Sequence, residues 1–302
     1  MPNRLFSPPR PHTRERRRGR RTAAWAGVLV ASVTALGSAG TLAAASPASA
    51  ATSAARAGAA PAGDPAPAHP QGKPRVTAAV LGLDDTGGQP KVYGDDTPYD
   101  TASIIKVDIL ATTLLQAQDA GRQLTAQERT RADAMIRRSD NASADALWRS
   151  IGRAPGLEAA NKRLGLTSTK GGPGPKWGLT RTTASDQIRL LRAVFDTNAA
   201  ARGGARALTG DSRSYVRILM ARITSEQSWG VSAAARSGWA LKNGWLQRNT
   251  TGLWDVNSVG RITVDGRRYV VAVLSEGNSS MSEGISRVER AARTAVASAS
   301  GR

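Results

Sequence analysis

From Arg75 onward the spacing of apolar residues runs from a strand rhythm to a helical one and back. Arg75 to Leu83, rich in Val, Thr and Leu, reads as a strand; Gly87-Gly88 makes a turn and Lys91 to Tyr93 a short second strand, so a hairpin opens the region. From Thr101 to Ala120 the positions Ile105, Ile109, Leu110, Thr113 and Leu114 recur at helical spacing, with Gly121 as the stop. Thr125 and Glu128 form a capping box for a helix that ends near Arg138 and buries Ala132, Met135 and Ile136. Ser139-Asp140-Asn141 breaks the pattern. Ala144, Leu147, Trp148 and Ile151 make the next amphipathic set, stopped by Gly152. Lys170 to Gly178, dense in Gly and Pro, predicts an exposed loop. Helices resume at Thr183 and at Asp211, the second with Tyr215, Ile218, Leu219 and Ile223 on one side.

Strand rhythm then returns. Trp239 to Trp245, Leu253 to Val264 and Arg267 to Ser275 read as strands, the last two joined by the hairpin signal Asp265-Gly266. A closing helix from about Ser282 to Ala297 starts with a Ser280/Glu283 box and buries Ile285, Val288 and Ala292. Strands at both ends with helices between them predict an α/β (α+β) fold. It would be an antiparallel five-stranded sheet, its edge strands drawn from distant parts of the chain, flanked by helices and set beside an all-helical subdomain.

The first 74 residues follow neither rhythm. An Arg-rich run (Arg14, Arg16, Arg17, Arg18, Arg20, Arg21), an apolar stretch from Ala23 to Ala45 and Ala48-Ser49-Ala50 are the three parts of a secretory signal peptide, cleaved after Ala50. The alternative is an uncleaved anchor helix. The stretch is long enough to span a bilayer, but Gly27, Gly37, Gly40 and several Ser and Thr leave it weakly hydrophobic. Pro61, Pro65, Pro67, Pro70 and Pro74 among Ala and Gly make residues 51–74 a flexible tether. One exported domain, residues 75–300, remains, with no stable membrane insertion expected once the leader is removed.

Charge and composition narrow the chemistry. The net charge is +19; residues 1–50 hold eight Arg and one Glu, a net of +7, so 19 − 7 = +12 belongs to the rest. That excess is mostly Arg scattered along helices (Arg129, Arg131, Arg137, Arg138, Arg189, Arg192) without a nucleic-acid motif, so no nucleic-acid partner is expected. Attraction to an anionic cell wall, or simply a solvated basic surface, fits better. With no cysteine the chain cannot form disulfides or thiolate metal sites, and no metal or other cofactor is called for. The two histidines, His12 and His69, both precede the domain.

A nucleophilic site in the domain is therefore a serine activated by lysine, or there is none. Ser103-Ile104-Ile105-Lys106 supplies that pair, because residues three apart on a helix share a face. A serine hydroxyl needs a proton acceptor, and Lys106 serves only as the neutral amine, which burial and a second cation, Lys242, can favour. Ser139 can relay a proton to a leaving group. Asn141 can hold a substrate amide, and Asp140 stabilises the turn. Lys242-Asn243-Gly244, on a strand edge, offers a cation for a substrate carboxylate, while the N–H groups of Ser103 and Trp245 suit an oxyanion. Trp229, Trp239, Trp245 and Trp254 cluster in sequence near Lys242; in a chain with two Phe, core filling is their ordinary use, with Trp245 beside the anchor lysine as the exception.

In order and placement these three segments resemble the serine β-lactamase and penicillin-binding protein superfamily, class A β-lactamases above all, for which S-x-x-K, S-D-N and K-T-G are the signatures. Met135 to Asp145 and Thr182-Thr183-Ala184-Ser185-Asp186 strengthen the likeness, which covers residues 75–298. It implies Ser103 as acylated nucleophile, Lys106 as base, Ser139 as proton relay, Asn141 as substrate contact and Lys242, with Asn243, Gly244 and Trp245, as the substrate-binding strand. The implied substrate is a β-lactam or a peptidoglycan-derived, D-Ala-ended peptide. Three departures stand out. Ser103 and Ser139 are only 139 − 103 = 36 positions apart, Asn243 replaces the usual Thr or Ser, and no E-x-x-L-N segment precedes Thr182. Glu158 is the nearest glutamate, yet it has the wrong spacing and lies in a helix. Since that glutamate activates the hydrolytic water in family lactamases, slow deacylation is expected. The alternative is a non-catalytic cell-wall-binding protein that keeps the fold; the oligomeric state is not legible.

Overall fold

The computed structural model describes residues 73–84, 88–197 and 208–301. The segments expected as signal peptide and tether, up to residue 72, and Gly87 of the expected first turn lie outside those residues.

Five strands, β1 (Arg75–Gly82), β2 (Lys91–Tyr93), β5 (Ser237–Gln247), β6 (Trp254–Val264) and β7 (Arg267–Asn278), form one antiparallel sheet in the order β2-β1-β7-β6-β5. A two-stranded sheet pairs β3 (Tyr99–Asp100) with β4 (Arg181–Thr182). The central strand β7 explains why its sequence is apolar without alternation, since both of its faces are covered. Val270, Ala272 and Leu274 join the core shared with the helical part, while Tyr269, Val271 and Val273 pack under α7 (Met281–Ala299) with Val288, Ala292, Ala295 and Val296. Asp265 and Gly266, at φ 49° and 76°, make the tight hairpin that their residue types demand.

The helical part comprises α1 (Ile105–Asp119), α2 (Ala126–Arg137), α3 (Asn141–Ser150), α4 (Arg153–Leu164), α5 (Ala184–Phe195) and α6 (Gly210–Met220). Helix α1 is buried almost all round, as an axial helix must be. Thr125 and Glu128 make the expected capping box at α2. At α7 the box is displaced by one residue: Ser280 accepts from the Glu283 N–H, but the Glu283 carboxylate reaches Ser279 N at 2.9 Å.

Two expectations need correction. Helix α6 turns Ile218 outward, 47% exposed, and buries Ser212, Val216, Leu219 and Met220, because the stripe facing the core runs at i, i+4, i+7 and i+8. The segment from Lys170 to Gly178 is exposed at Lys170 and at Pro173–Pro175 and not along the rest of its length. Its far end folds into a 3-10 turn, Trp177–Leu179, with Trp177 fully buried. Two indoles pin it: Trp148 Nε1 donates to Gly174 O at 2.8 Å, and Trp177 Nε1 to Asp145 Oδ1 at 2.7 Å. Gly172 is obligatory inside the loop, since a Cβ there would lie 2.1 Å from Lys176 O.

Candidate active site

Three segments distant in sequence meet where α1 begins. Ser103 lies in a 3-10 turn, Ala102–Ile104, that feeds directly into α1, so Lys106 follows one turn later. Ala102 is held at φ 46°, a left-handed conformation costly for a residue with a side chain. The turn is fixed from two sides: Asn257 Nδ2 donates to Asp100 O (2.8 Å) and Thr101 O (3.1 Å), and Thr101 N donates to Thr180 O (2.9 Å). Gly244 lets β5 come this close. A Cβ on it would stand 2.6 Å from Ser103 N and 2.7 Å from Ile104 N.

Ser139 sits between α2 and α3, also left-handed at φ 57°. Asp140 caps α3 by accepting from Ser143 N at 2.7 Å, and the Ser143 side chain first, with this backbone bond after it, holds its carboxyl below the usual range. The two lysines then converge on Ser139. Lys106 Nζ contacts Ser139 O (2.7 Å), Ser139 Oγ (3.1 Å) and Asn141 Oδ1 (2.7 Å). Lys242 Nζ contacts the same Ser139 Oγ (2.9 Å), Asn243 O (2.8 Å) and Gln227 Oε1 (3.3 Å). Ser103 Oγ is not among the hydrogen-bond partners of Lys106. Three contacts use all three N–H groups of an ammonium; the neutral amine keeps two and frees a lone pair for a nearby hydroxyl.

The electrostatics favour that neutral form. Burial pulls Lys106 from 10.5 down to about 7, while the charges of Asp140 and Asp145 pull it back up. Lys242, fully buried, is held well below its ordinary value by burial first and by the charge on Lys106 second. Burial therefore depresses both amines, and the repulsion falls on Lys242 where the sequence suggested Lys106. The Trp177 ring lies 4.7 Å from Lys106 Nζ and closes that side of the amine.

Alternation along β5 divides the remaining candidates. Lys242 and Gly244 face the nucleophile, whereas Asn243 and Trp245 point to the opposite face. The Asn243 amide is buried and donates to Gln227 O (2.8 Å) and Trp229 O (2.9 Å). Trp245 is half-buried against Trp229, ring centroids 6.0 Å apart, and all four tryptophans of this region pack on the core beneath α7. Glu158 is exposed on α4, with Oε1 accepting from Gly171 N at 3.0 Å. Gln227 and Trp177 escaped the sequence reading. Gln227 has no local signal, while Trp177 was legible only as one aromatic residue within a Gly/Pro-rich loop.

No group of acidic or histidine side chains among the described residues is disposed to hold a metal. None of their helices is long and apolar enough to cross a membrane.

Solved structures with the same fold include β-lactamases and PBP-A. The TLA-1 extended-spectrum β-lactamase superposes at a TM-score of 0.62 with 18% identity, over 74% of this chain and 93% of that one. A class A β-lactamase from Mycobacterium abscessus gives 0.59 at 20% identity over 76% and 94%. A mutant of PBP-A, captured as its acyl-enzyme complex with penicillin G, gives 0.59 at 20% identity over 76% and 90%. Residues 111–299 match the model of the Beta-lactamase enzyme family, and the chain belongs to that family. The matched span begins inside α1, after Ser103 and Lys106. A curated relative, "Putative lipoprotein LppW" of Mycobacterium tuberculosis, is 26% identical over 207 residues; the match spans 66% of this chain and 63% of that protein's length.

Proposed function

We propose that this β-lactamase-family chain is an exported serine hydrolase whose Ser103 is acylated by a β-lactam or by a D-Ala-ended cell-wall peptide, and whose acyl-enzyme is released slowly. The observation that carries this reading is the meeting of two buried lysine amines on one hydroxyl, Ser139 Oγ, with Lys106 brought to about 7. In acylation Ser103 Oγ bonds to the carbonyl carbon and gives its proton to the Lys106 lone pair. The amide C–N bond then breaks as Ser139 Oγ passes a proton to the departing nitrogen and is reprotonated from Lys106. The Ser103 N–H, with that of Trp245, would hold the oxyanion, and Asn141 the substrate amide. Lys242 would bring a positive field to the substrate carboxylate. Export to the cell-wall compartment is supported by the basic leader and apolar stretch, and by the lipoprotein name of the curated relative.

Intact-protein mass spectrometry after exposure to penicillin tests the reading. An adduct of one penicillin mass is expected in the wild type and not in Ser103→Ala; an unmodified wild type, or an adduct on the variant, overturns it. The separation of Ser103 from the hydrogen bonds of Lys106 favours a second reading, a wall-binding protein without catalysis. Sedimentation with peptidoglycan, equal in wild type and Ser103→Ala and without covalent labelling, identifies it.

A further inference from the structure

The loop that runs onto the nucleophile ends in a feature the acylation chemistry does not use. Trp177 is fully buried, its ring is 4.7 Å from Lys106 Nζ, and its Nε1 donates to Asp145 Oδ1 at 2.7 Å. The indole therefore stands between the amine and a carboxylate. Its turn is locked to the nucleophile's turn by Thr101 N donating to Thr180 O at 2.9 Å, and to α3 by the Trp148 bond to Gly174 O. The wall is not free to swing away.

We propose that Trp177 sets the lifetime of the Ser103 acyl-enzyme, because its indole fills the space between Lys106 and Asp145 in which a hydrolytic water would stand. The inference rests on the acyl-enzyme reading above. Hydrolysis requires a water oxygen to bond to the acyl carbonyl carbon, the ester bond to Ser103 Oγ to break, and the water's proton to pass through a base to that departing oxygen. The indole supplies no such base. It carries one N–H donor and no acceptor, and that donor is committed to Asp145. The same bond occupies one acceptor site of the Asp145 carboxylate, on the oxygen turned toward the ring's N–H edge. Removing the ring would open a polar space with an amine on one side and a freed carboxylate on the other, the partners an ordered water needs. Trp177 is thus a positioning and water-excluding residue, and Asp145 a dormant base behind it.

The test follows acylation and release of a fluorescent penicillin separately on the full chain. Trp177→Ala is expected to acylate and to shorten the acyl-enzyme lifetime by about a hundredfold, the low end of what a placed base supplies. Trp177→Phe, which keeps the wall, should leave the lifetime unchanged, and adding Asp145→Asn to Trp177→Ala should return it to the wild-type value. Merely loosening the fold would slow acylation and would not be reversed by Asp145→Asn. Should Trp177→Ala not label, Trp177→Leu carries the same expectation. A lifetime unmoved in the variant that labels, or shortened equally by Trp177→Phe, overturns the inference alone. A wild type that is never labelled removes the proposed function, and this inference with it.

Discussion

Lys106 and Asp108 sit two residues apart on α1, both without solvent exposure, and they meet burial in opposite ways. Two residues along a helix turn the side chains about 200° apart, so one faces the site and the other the helical core. Burial lowers the Lys106 ammonium to about 7 and raises the Asp108 carboxyl from 3.8 to about 7, with Asn161, outside hydrogen-bonding geometry, pulling it back down. Each group is thereby driven toward its uncharged form near neutrality. Only one is wired for use. Lys106 has three partners, one of them a hydroxyl shared with Lys242, whereas neither oxygen of Asp108 has any hydrogen-bond partner. Losing its charge is therefore not what makes a buried group reactive; a proton acceptor also needs a donor beside it and an onward route.

The largest effect that could break this contrast comes from Lys106→Arg, since a guanidinium keeps its proton. Acylation should fall about a thousandfold, while Asp108→Asn should leave it unchanged; equal losses, read as rates of fluorescent-penicillin labelling, would dissolve the distinction. Next, Lys242→Met should slow labelling, by less than Lys106→Arg does, yet raise stability against urea, on the order of 1–4 kcal/mol, because it replaces a buried amine by an apolar chain of similar volume. A destabilised variant would mean that the amine's three hydrogen bonds outweigh its desolvation. Third, the active form of Lys106 is the deprotonated one, so the acylation rate should climb through the acid range and level off above pH about 7. A rate flat from pH 5 to 9 in stopped-flow labelling, the span a base of this kind should cross, would remove Lys106 as the base.

The smallest effect is thermodynamic. Asp108 titrates at 3.8 unfolded and about 7 folded, so its contribution to stability is fully present below 3.8 and lost as pH rises through 7. Lys106 has the reverse sign: its contribution is present above 10.5 and lost as pH falls through about 7. Both are therefore least favourable around pH 7. Asp108→Asn should gain on the wild type between pH 4 and 7 and hold that margin above, as thermal unfolding at stepped pH would show.

Much of the fold was legible because single residues carry local rules. Asp265-Gly266 can only be a tight hairpin, Thr125 with Glu128 starts a helix, and five strand-like runs gave the five-stranded sheet. The convergence of Ser139, Asn141 and Lys242 around Lys106 followed from the motifs. What failed depended on neighbours distant in sequence. Ile218 fits a helical stripe, but which stripe of α6 faces inward is decided by α1, α2 and α5. Trp177 was read as part of an exposed loop because its anchor, Asp145, lies 177 − 145 = 32 positions away. The side chains of Asn243 and Trp245 look away from that of Lys242, because successive residues of a strand face opposite sides.

Asn243 has a consequence for how this branch of the family can change. Its amide grips the backbone at Gln227 and Trp229, and the Gln227 side chain in turn steadies Lys242. Exchanging Asn243 for the threonine usual at that position would cut both tethers before any new hydroxyl could be useful. The swap becomes workable only if the 227–229 bend is rebuilt at the same time, so the route to the common motif from here runs through a damaged intermediate.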